Sequence, residues 1–323
     1  CIRDRANGPP ARPSRFLHIP KVCWLLLVVL LVGGAIYLEA ASRVDPAALA
    51  PPPGPLVLDR HGQILRLVAG SQGLRSVKLP AGEIPSLVAA AFIAAEDQRF
   101  WQHPGVDLAA VFRAAGQNLA AGRIVSGAST LTMQLARLTY PGPRTYGRKT
   151  VEMLRSLRIE AALAKDDILR SYLNRVPLGG NLVGVETAAL AYFGKPSAQL
   201  TAAEAALLAA LPKAPTALRP LGPRHQRLLA RQQWVLSRMA LLGYLSPPEL
   251  DAARQEPLVF RTKRATPALP FQAPHFAQLV LRENKKADPE PGRLVTTLDL
   301  SLQQRAEAVV LSHRARLFKS GAS

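Results

Sequence analysis

Residues 22–38 read VCWLLLVVLLVGGAIYL, seventeen positions without a charge. A stretch that is apolar on every side has no face for water, so as a helix it must be enclosed by a core or by lipid. At about 1.5 Å per residue it reaches roughly 25 Å, the lower limit for a hydrocarbon core of about 30 Å. Trp24 and Tyr37 stand near its two ends, where interfacial aromatics belong. Arg3, Arg5, Arg12, Arg15 and Lys21 precede it against one acid, Asp4. That excess of positive charge keeps the N-terminus in the cytoplasm and exports the rest. The reading is a basic cytoplasmic tail over 1–21 and a single-pass anchor over 22–41. The rivals are a cleaved signal peptide, for which the run is long and lacks a clear Ala-x-Ala site, and a buried soluble helix. The chain begins at Cys1 rather than methionine, which reads as a trimmed or partial product.

The formal charge of +19 over 323 residues implies an anionic partner: nucleic acid, a phosphate-bearing substrate or an acidic membrane surface. Export weakens the first of these. Both cysteines, Cys1 and Cys23, lie at the start, so no disulfide framework or thiolate metal site follows. His18, His61, His103, His225, His275 and His313 are scattered and show no paired ligand spacing.

Past the apolar run, 42–55 is a small-residue, proline-rich linker. LVLDRHGQILRLV opens a β-hairpin region over 56–80, with Gly62 in its turn. From 81 to 256 the signals are almost all helical, about eight helices with little strand. Thr201-Ala-Ala-Glu204 and Ser246-Pro-Pro-Glu249 are capping boxes, and a stripe that includes Leu228, Trp234, Val235 and Met239 reads as core packing. Residues 257–323 turn basic and proline-rich, then read as one strand and one helix, too little for a core of their own.

Four stretches carry candidate chemistry. In AFIAAEDQRFWQHPGVD (91–107) an apolar run delivers Glu96 and Asp97 to the edge of an aromatic patch, Phe100 and Trp101, followed by His103. Adjacent residues on a helix point about 100° apart, so one carboxylate works and the other caps, pairs or orients. Burial raises a carboxylate pKa toward the range useful for proton transfer. In SGASTLTMQLARLTY (126–140) Ser129 or Thr130 is the N-cap of a helix. Thr130, Gln134 and Arg137 then line one face of it. In RTYGRKTVEMLRSLRIE (144–160) Arg148, Glu152 and Arg155 share a face, and clustered guanidinium groups suit phosphate oxygens. In the fourth, Tyr172 and Asn174 precede the glycine turn Gly179-Gly180.

In this order and spacing the four stretches resemble the peptidoglycan glycosyltransferase domain of the bifunctional penicillin-binding proteins. EDxxFxxHxG is matched by Glu96, Asp97, Phe100, His103 and Gly105, and GxSTxxxQ by Gly127, Ser129, Thr130 and Gln134. RKxxE is matched by Arg148, Lys149 and Glu152, YLNxxxxG by Tyr172, Asn174 and Gly179, and a final helix motif by AALLAALPKAPT (205–216). Two positions depart from the pattern: Met133 stands where glutamine is usual, a change similar to the 1C branch, and Arg137 stands where lysine is usual.

The resemblance implies a mainly α, lysozyme-like, two-lobed glycosyltransferase domain over 81–256, carried by the N-terminal transmembrane helix and the small β-hairpin. It implies that lipid II and the growing glycan chain are the substrates, at a bacterial cytoplasmic membrane, with membrane lipid and other cell-wall synthesis proteins as further partners and no nucleic acid. By carry-over Glu96 is the general base and Glu152 assists near the pyrophosphate. Asp97, Phe100, His103, Ser129, Thr130, Gln134, Arg137, Arg148, Lys149, Tyr172 and Asn174 form the substrate-binding set. No cofactor is obligatory; a divalent cation, Mg2+ or Mn2+, would sit at Glu152. TTLDLSLQQRAE (296–307) is similar to the start of the family's transpeptidase domain, and no S-x-x-K motif occurs in the sequence, so no transpeptidase activity is expected of this chain. Two other readings stay open: a lysozyme-like muramidase, which would need no basic cluster over 137–155, and a non-catalytic lipid II-binding scaffold, which would need neither glutamate.

Overall fold

The fold is that of a computed structural model, which describes residues 21–49, 54–70, 73–123, 127–143, 145–214, 220, 222–263, 266–267, 271–287 and 293–319. The basic tail expected over 1–21 lies, apart from Lys21, outside them. The chain divides after Arg43 into two units. In the first, Lys21–Ala41 is one α-helix, α1, whose side chains are described from Val29 onward. Among the described residues no helix is both long and apolar enough to cross a membrane. The anchor expected over 22–41 is therefore present as a helix, and its crossing of a bilayer stays a proposal.

The second unit is mainly helical. Short strands β1 (Leu56–Leu58), β2 (Ile64–Leu67) and β3 (Arg75–Ser76) lead into α2 (Ser86–Glu96), α3 (Leu108–Ala121), α4 (Leu131–Thr139), α5 (Tyr146–Ala162) and α6 (Lys165–Arg175). After β4 (Leu182–Val183) come α7 (Val185–Tyr192), α8 (Ala202–Ala210), α9 (His225–Leu241) and α10 (Pro247–Gln255). The chain then runs through β5 (Thr262–Lys263), β6 (Thr266–Pro267), α11 (Pro274–Ala287), β7 (Arg293–Val295) and α12 (Leu300–Lys319).

Two alanine-rich helices make the centre. In α2 Val88 and every residue from Ala90 to Ala95 are buried, and in α8 every residue from Ala203 to Ala210 is. Small side chains let such helices approach closely, and α8 packs against both α2 and α9. Phe92 of α2 meets Tyr172 of α6 edge-on at 6.2 Å between ring centroids. The capping boxes form as the spacing predicts. The Thr201 N–H donates to Glu204 Oε2 at 2.9 Å, and the Ser246 N–H donates to Glu249 Oε2 at 2.8 Å. Each satisfies backbone donors that a helix start otherwise leaves free.

Trp234 departs from the expected core stripe. It is 39% exposed, while Leu228, Val235, Leu236 and Met239 of the same helix are buried. The stretch 44–49 is also docked rather than a free tether. Leu49 is buried, the Asp45 N–H donates to Tyr140 Oη at 2.7 Å, and Arg175 donates to the carbonyls of Ala48 and Leu49.

The hairpin β1–β2 is antiparallel, with Asp59 shaping its turn by accepting from the N–H groups of His61 and Gln63, each at 2.8 Å. Its other edge is not free. β7 adds to β1 in parallel, giving a three-stranded sheet of order β2-β1-β7. Arg60 then donates from Nε and Nη2 to the Thr297 carbonyl at 3.0 and 2.8 Å. Val57, Leu65, Ala277 and Leu300 form a second buried cluster, separate from the helical one. The C-terminal segment was expected to lack a core; it has one because the N-terminal hairpin supplies half of it.

Leu65→Ala should open this small cluster and leave the helical core in place, at about 2–5 kcal/mol. Amide exchange should then quicken together in 56–67 and 293–302, with α8 unchanged. Faster exchange in 56–67 alone would mean that the two segments are not one cooperative piece.

Candidate active site

The site is built where α2 ends. Glu96 is its last residue, and the chain turns out of the helix at Asp97, so the two carboxylates diverge. Asp97 is 6% exposed and fully engaged. It accepts from His103 Nε2 at 3.0 Å and from the Leu131 N–H at 2.9 Å. The Gly105 N–H donates to His103 Nδ1 at 3.2 Å, which leaves Nε2 as the protonated nitrogen facing the carboxylate. Thr130 donates to the Gly105 carbonyl at 2.6 Å and accepts from the Met133 N–H at 3.1 Å, so it is the N-cap of α4. Gly105 has φ +95°, and a Cβ there would lie 2.7 Å from the Ser156 carbonyl oxygen, which explains the glycine.

These bonds lock the 97–105 loop to the first turn of α4. That places Gln134 one turn on, where its Nε2 donates to Glu96 Oε2 at 2.8 Å. Tyr172 Oη, buried within α6, donates to Gln134 Oε1 at 3.4 Å and turns the amide so that its NH2 faces Glu96. Glu96 itself is half-buried. Burial raises its pKa, against the hydrogen bond from Gln134 and the attraction of Arg231, Arg137 and Lys213. A cavity of about 320 Å3 opens against it, walled by Gln98, Arg113, Ser129 and Arg238 among others.

A second cluster gathers on α5. Lys149 Nζ donates to Ser129 Oγ at 2.7 Å and stands 3.7 Å from Glu152 Oε2. Burial lowers the Lys149 pKa, while Glu152 pulls it back up. Arg148 donates to the Tyr140 carbonyl, and the Arg155 guanidinium lies 4.1 Å from the centroid of the Tyr140 ring. Arg137 acts electrostatically on both Glu96 and Lys149, so it links the two clusters.

The residues named from sequence therefore divide by environment. Glu96, Ser129, Arg137, Arg148 and Lys149 are partly exposed. Asp97, Phe100, His103, Thr130, Gln134, Glu152, Tyr172 and Asn174 are buried. Asp97, His103 and Thr130, expected to contact substrate, spend hydrogen bonds inside the fold, while Asp97 and Thr130 also line the cavity beside Glu96. Asn174 likewise accepts from the Leu79 N–H at 2.7 Å through its side-chain oxygen. Phe100 was expected to wall Glu96. Its ring instead meets Trp101, His103 and the Lys165 ammonium, and the groups acting on Glu96 come from α4, α9 and the segment after α8.

Arg231, Gln98 and Arg238 were missed. The signal available was the i, i+3, i+7 spacing of Arg231, Trp234 and Arg238, which places them on one helical face. Among the described residues no three or more His, Cys, Asp or Glu side chains gather as a metal site. Glu152 would give a divalent cation a single carboxylate, with an ammonium already 3.7 Å away. The residues present do not build a cation site there.

A profile of the family described as Transglycosylase matches residues 62–240, over half of the chain. The chain belongs to the transglycosylase family. A putative transglycosylase of Cupriavidus necator is 43% identical over 242 residues, covering 73% of this chain and 96% of that protein. Penicillin-binding protein 1C of Escherichia coli is 37% identical over 298 residues, and penicillin-binding protein 1A of the same organism is 40% identical over 302. These alignments cover 91% and 92% of this chain but only 37% and 35% of those proteins, so the chain spans little more than a third of their length. Both side-chain clusters, and Arg231, fall within the matched transglycosylase segment, whereas α11, β7 and α12 lie beyond it.

The raised pKa of Glu96 makes its charge a load on the transglycosylase fold. A carboxyl whose folded pKa exceeds its ordinary 4.5 favours the folded state below that value and loses the advantage as pH rises through the folded pKa. Glu96→Gln should melt at a higher temperature than the wild type at neutral pH, with the gap closing below about pH 4.5. A gap that stays constant with pH would mean that Glu96 ionises as freely folded as unfolded.

Proposed function

We infer that the chain is a peptidoglycan glycosyltransferase that polymerises lipid II. The acceptor's sugar hydroxyl attacks the anomeric carbon of the donor, and its proton passes to the Glu96 carboxylate. The bond from that carbon to the diphosphate oxygen breaks, undecaprenyl pyrophosphate leaves with the electron pair, and the anomeric centre inverts to a β-1,4 linkage. The observation that carries this reading is the state of Glu96: a half-buried carboxylate at a cavity wall, oriented by Gln134 and made more basic by burial. A sugar hydroxyl is a poor nucleophile, and a placed base is worth about 10²–10⁴-fold.

The α5 cluster supports the departure of an anion. The diphosphate gathers charge as it leaves, and cations fixed in advance stabilise it without reorganising. Lys149, held by Ser129, and Arg137, between the clusters, suit that role, and Arg148 and Glu152 complete the surroundings. In this reading the fold is the lysozyme-like, two-lobed one, α1 is a single span of the bacterial cytoplasmic membrane, and the second unit works outside it on a lipid-linked substrate. Membrane lipid and other cell-wall synthesis proteins are its further partners.

Detergent-solubilised protein supplied with lipid II should yield lengthening glycan chains. Glu96→Gln should lower the rate by about 10²–10⁴-fold and leave lipid II binding near the wild-type level. Lys149→Ala should weaken binding and rate together. Wild-type growth by Glu96→Gln would remove Glu96 as the base, and shortening of preformed chains by the wild type would turn the reading to a muramidase.

A further inference from the structure

One strongly placed cation near Glu96 has no part in the motifs that led to the site. Arg231 lies on α9 with its guanidinium carbon 3.7 Å from the centroid of the Trp234 ring. Its Nη2 points at the Ala95 carbonyl in the last turn of α2, at 3.4 Å. Its Nε is buried and meets no hydrogen-bond partner among the described residues. No carboxylate lies within ion-pair distance of it among those residues. The one anion acting on it is Glu96, the neighbour of Ala95 in the chain. A guanidinium partly removed from water without a direct anionic partner is unfavourable by itself. It is held because Trp234 supplies a cation–π face, worth about 0.5–2 kcal/mol, and because the far side of α9 is buried in the core.

We propose that Arg231, clamped by Trp234 against the last turn of α2, is a positioning residue that keeps the Glu96 carboxylate in its base form whatever occupies the cleft. The other groups acting on Glu96 are placed differently. From α4 come Gln134, a neutral donor, and Arg137, which also acts on Lys149 and so belongs to both clusters. From the segment after α8 comes Lys213, exposed to solvent and screened by it. From α6 comes Tyr172, buried and neutral. The adjacent Asp97 is a carboxylate already tied to His103 and to the Leu131 N–H. Arg231 combines a permanent charge with a side chain held between the Trp234 ring and the Ala95 carbonyl. A cation that substrate can draw away loses its hold on the base when the base is needed; one pinned behind the helix end does not. Arg238, two turns further along the same face, donates to Gln98 and continues the stripe to the cavity wall.

The proposal rests on Glu96 being the base, so the test reads Glu96 directly as well as through turnover. The 13C carboxyl resonance of Glu96, assigned by its loss in Glu96→Gln, is titrated in the full chain for wild type, Arg231→Gln, Arg231→Lys and Trp234→Leu. Removing a cation disfavours the carboxylate, so in Arg231→Gln the titration should move up by about half a unit, and the acid limb of kcat/KM with it. Below that limb the rate should fall roughly threefold, with the deficit shrinking toward alkaline pH. Arg231→Lys should restore most of the shift. Trp234→Leu, which frees the guanidinium and keeps its charge, should move the limb part of the way and serves if Arg231→Gln does not fold. A Glu96 titration unmoved in Arg231→Gln, or a rate loss equal at every pH, overturns the proposal and leaves Arg231 as packing. If the wild type does not extend lipid II, the polymerase reading falls instead, and the titration still judges Arg231.

Discussion

Everything in the site hangs from the Asp97 carboxylate. It is buried and faces two donors on two separate pieces of chain, the His103 ring and the first N–H of α4. A buried carboxylate is tolerated only when its lone pairs are answered, and hydrogen bonds to a charged acceptor are each worth about 1.5–3 kcal/mol. The same atoms that solvate the charge therefore fix the angle at which α4 leaves the α2 corner. Gln134 reaches Glu96 because that angle is set, and Tyr172 orients Gln134 because α4 packs on α6. Of the two acids at the helix end, one is spent on architecture so that the other can be left reactive.

That division was legible in the sequence, because adjacent residues on a helix cannot face one cleft. So were the capping boxes, the hairpin and the N-cap at Thr130, all of which depend on contacts within a few residues. What was not legible spans long distances. Arg60 meets the Thr297 carbonyl across 237 positions, and no local pattern announces that β7 will join β1. Trp234 read as core because its spacing from Leu228 and Val235 is helical, yet its face is turned outward and capped by Arg231. Asn174 was expected to contact substrate only through the resemblance of Tyr172-Leu-Asn174 to the family's YLNxxxxG motif. In fact it replaces a strand partner for Leu79, a job visible only once residues 75–79 are laid beside α6 and α7.

The distribution of unpaired guanidinium nitrogens points the same way as the carboxylates. Besides Arg75 Nε on β3, Arg148 Nε, Arg155 Nε and Nη1, Arg231 Nε and Arg238 Nε are buried without a hydrogen-bond partner among the described residues. Each unmet donor is worth about 1–3 kcal/mol against the fold. Random surface arginines would relax into water rather than stay so. These are retained by packing: Arg155 and Arg231 on the faces of Tyr140 and Trp234, Arg148 and Arg238 on oxygen acceptors at their other nitrogens. Fields built from cations that are already desolvated act at full strength on an arriving anion and on a developing negative charge.

The two ends of this arrangement respond to opposite demands. At Glu96 burial favours the protonated carboxyl, and the Gln134 hydrogen bond and the surrounding cations pull the other way. At Lys149 burial disfavours the ammonium, and Glu152 pulls the other way. Each cluster thus sets an ionisable group beside a counter-charge: Lys149 Nζ lies 3.7 Å from Glu152 Oε2 in a loose ion pair, and Glu96 feels the Arg231 charge without an ion pair between them among the described residues.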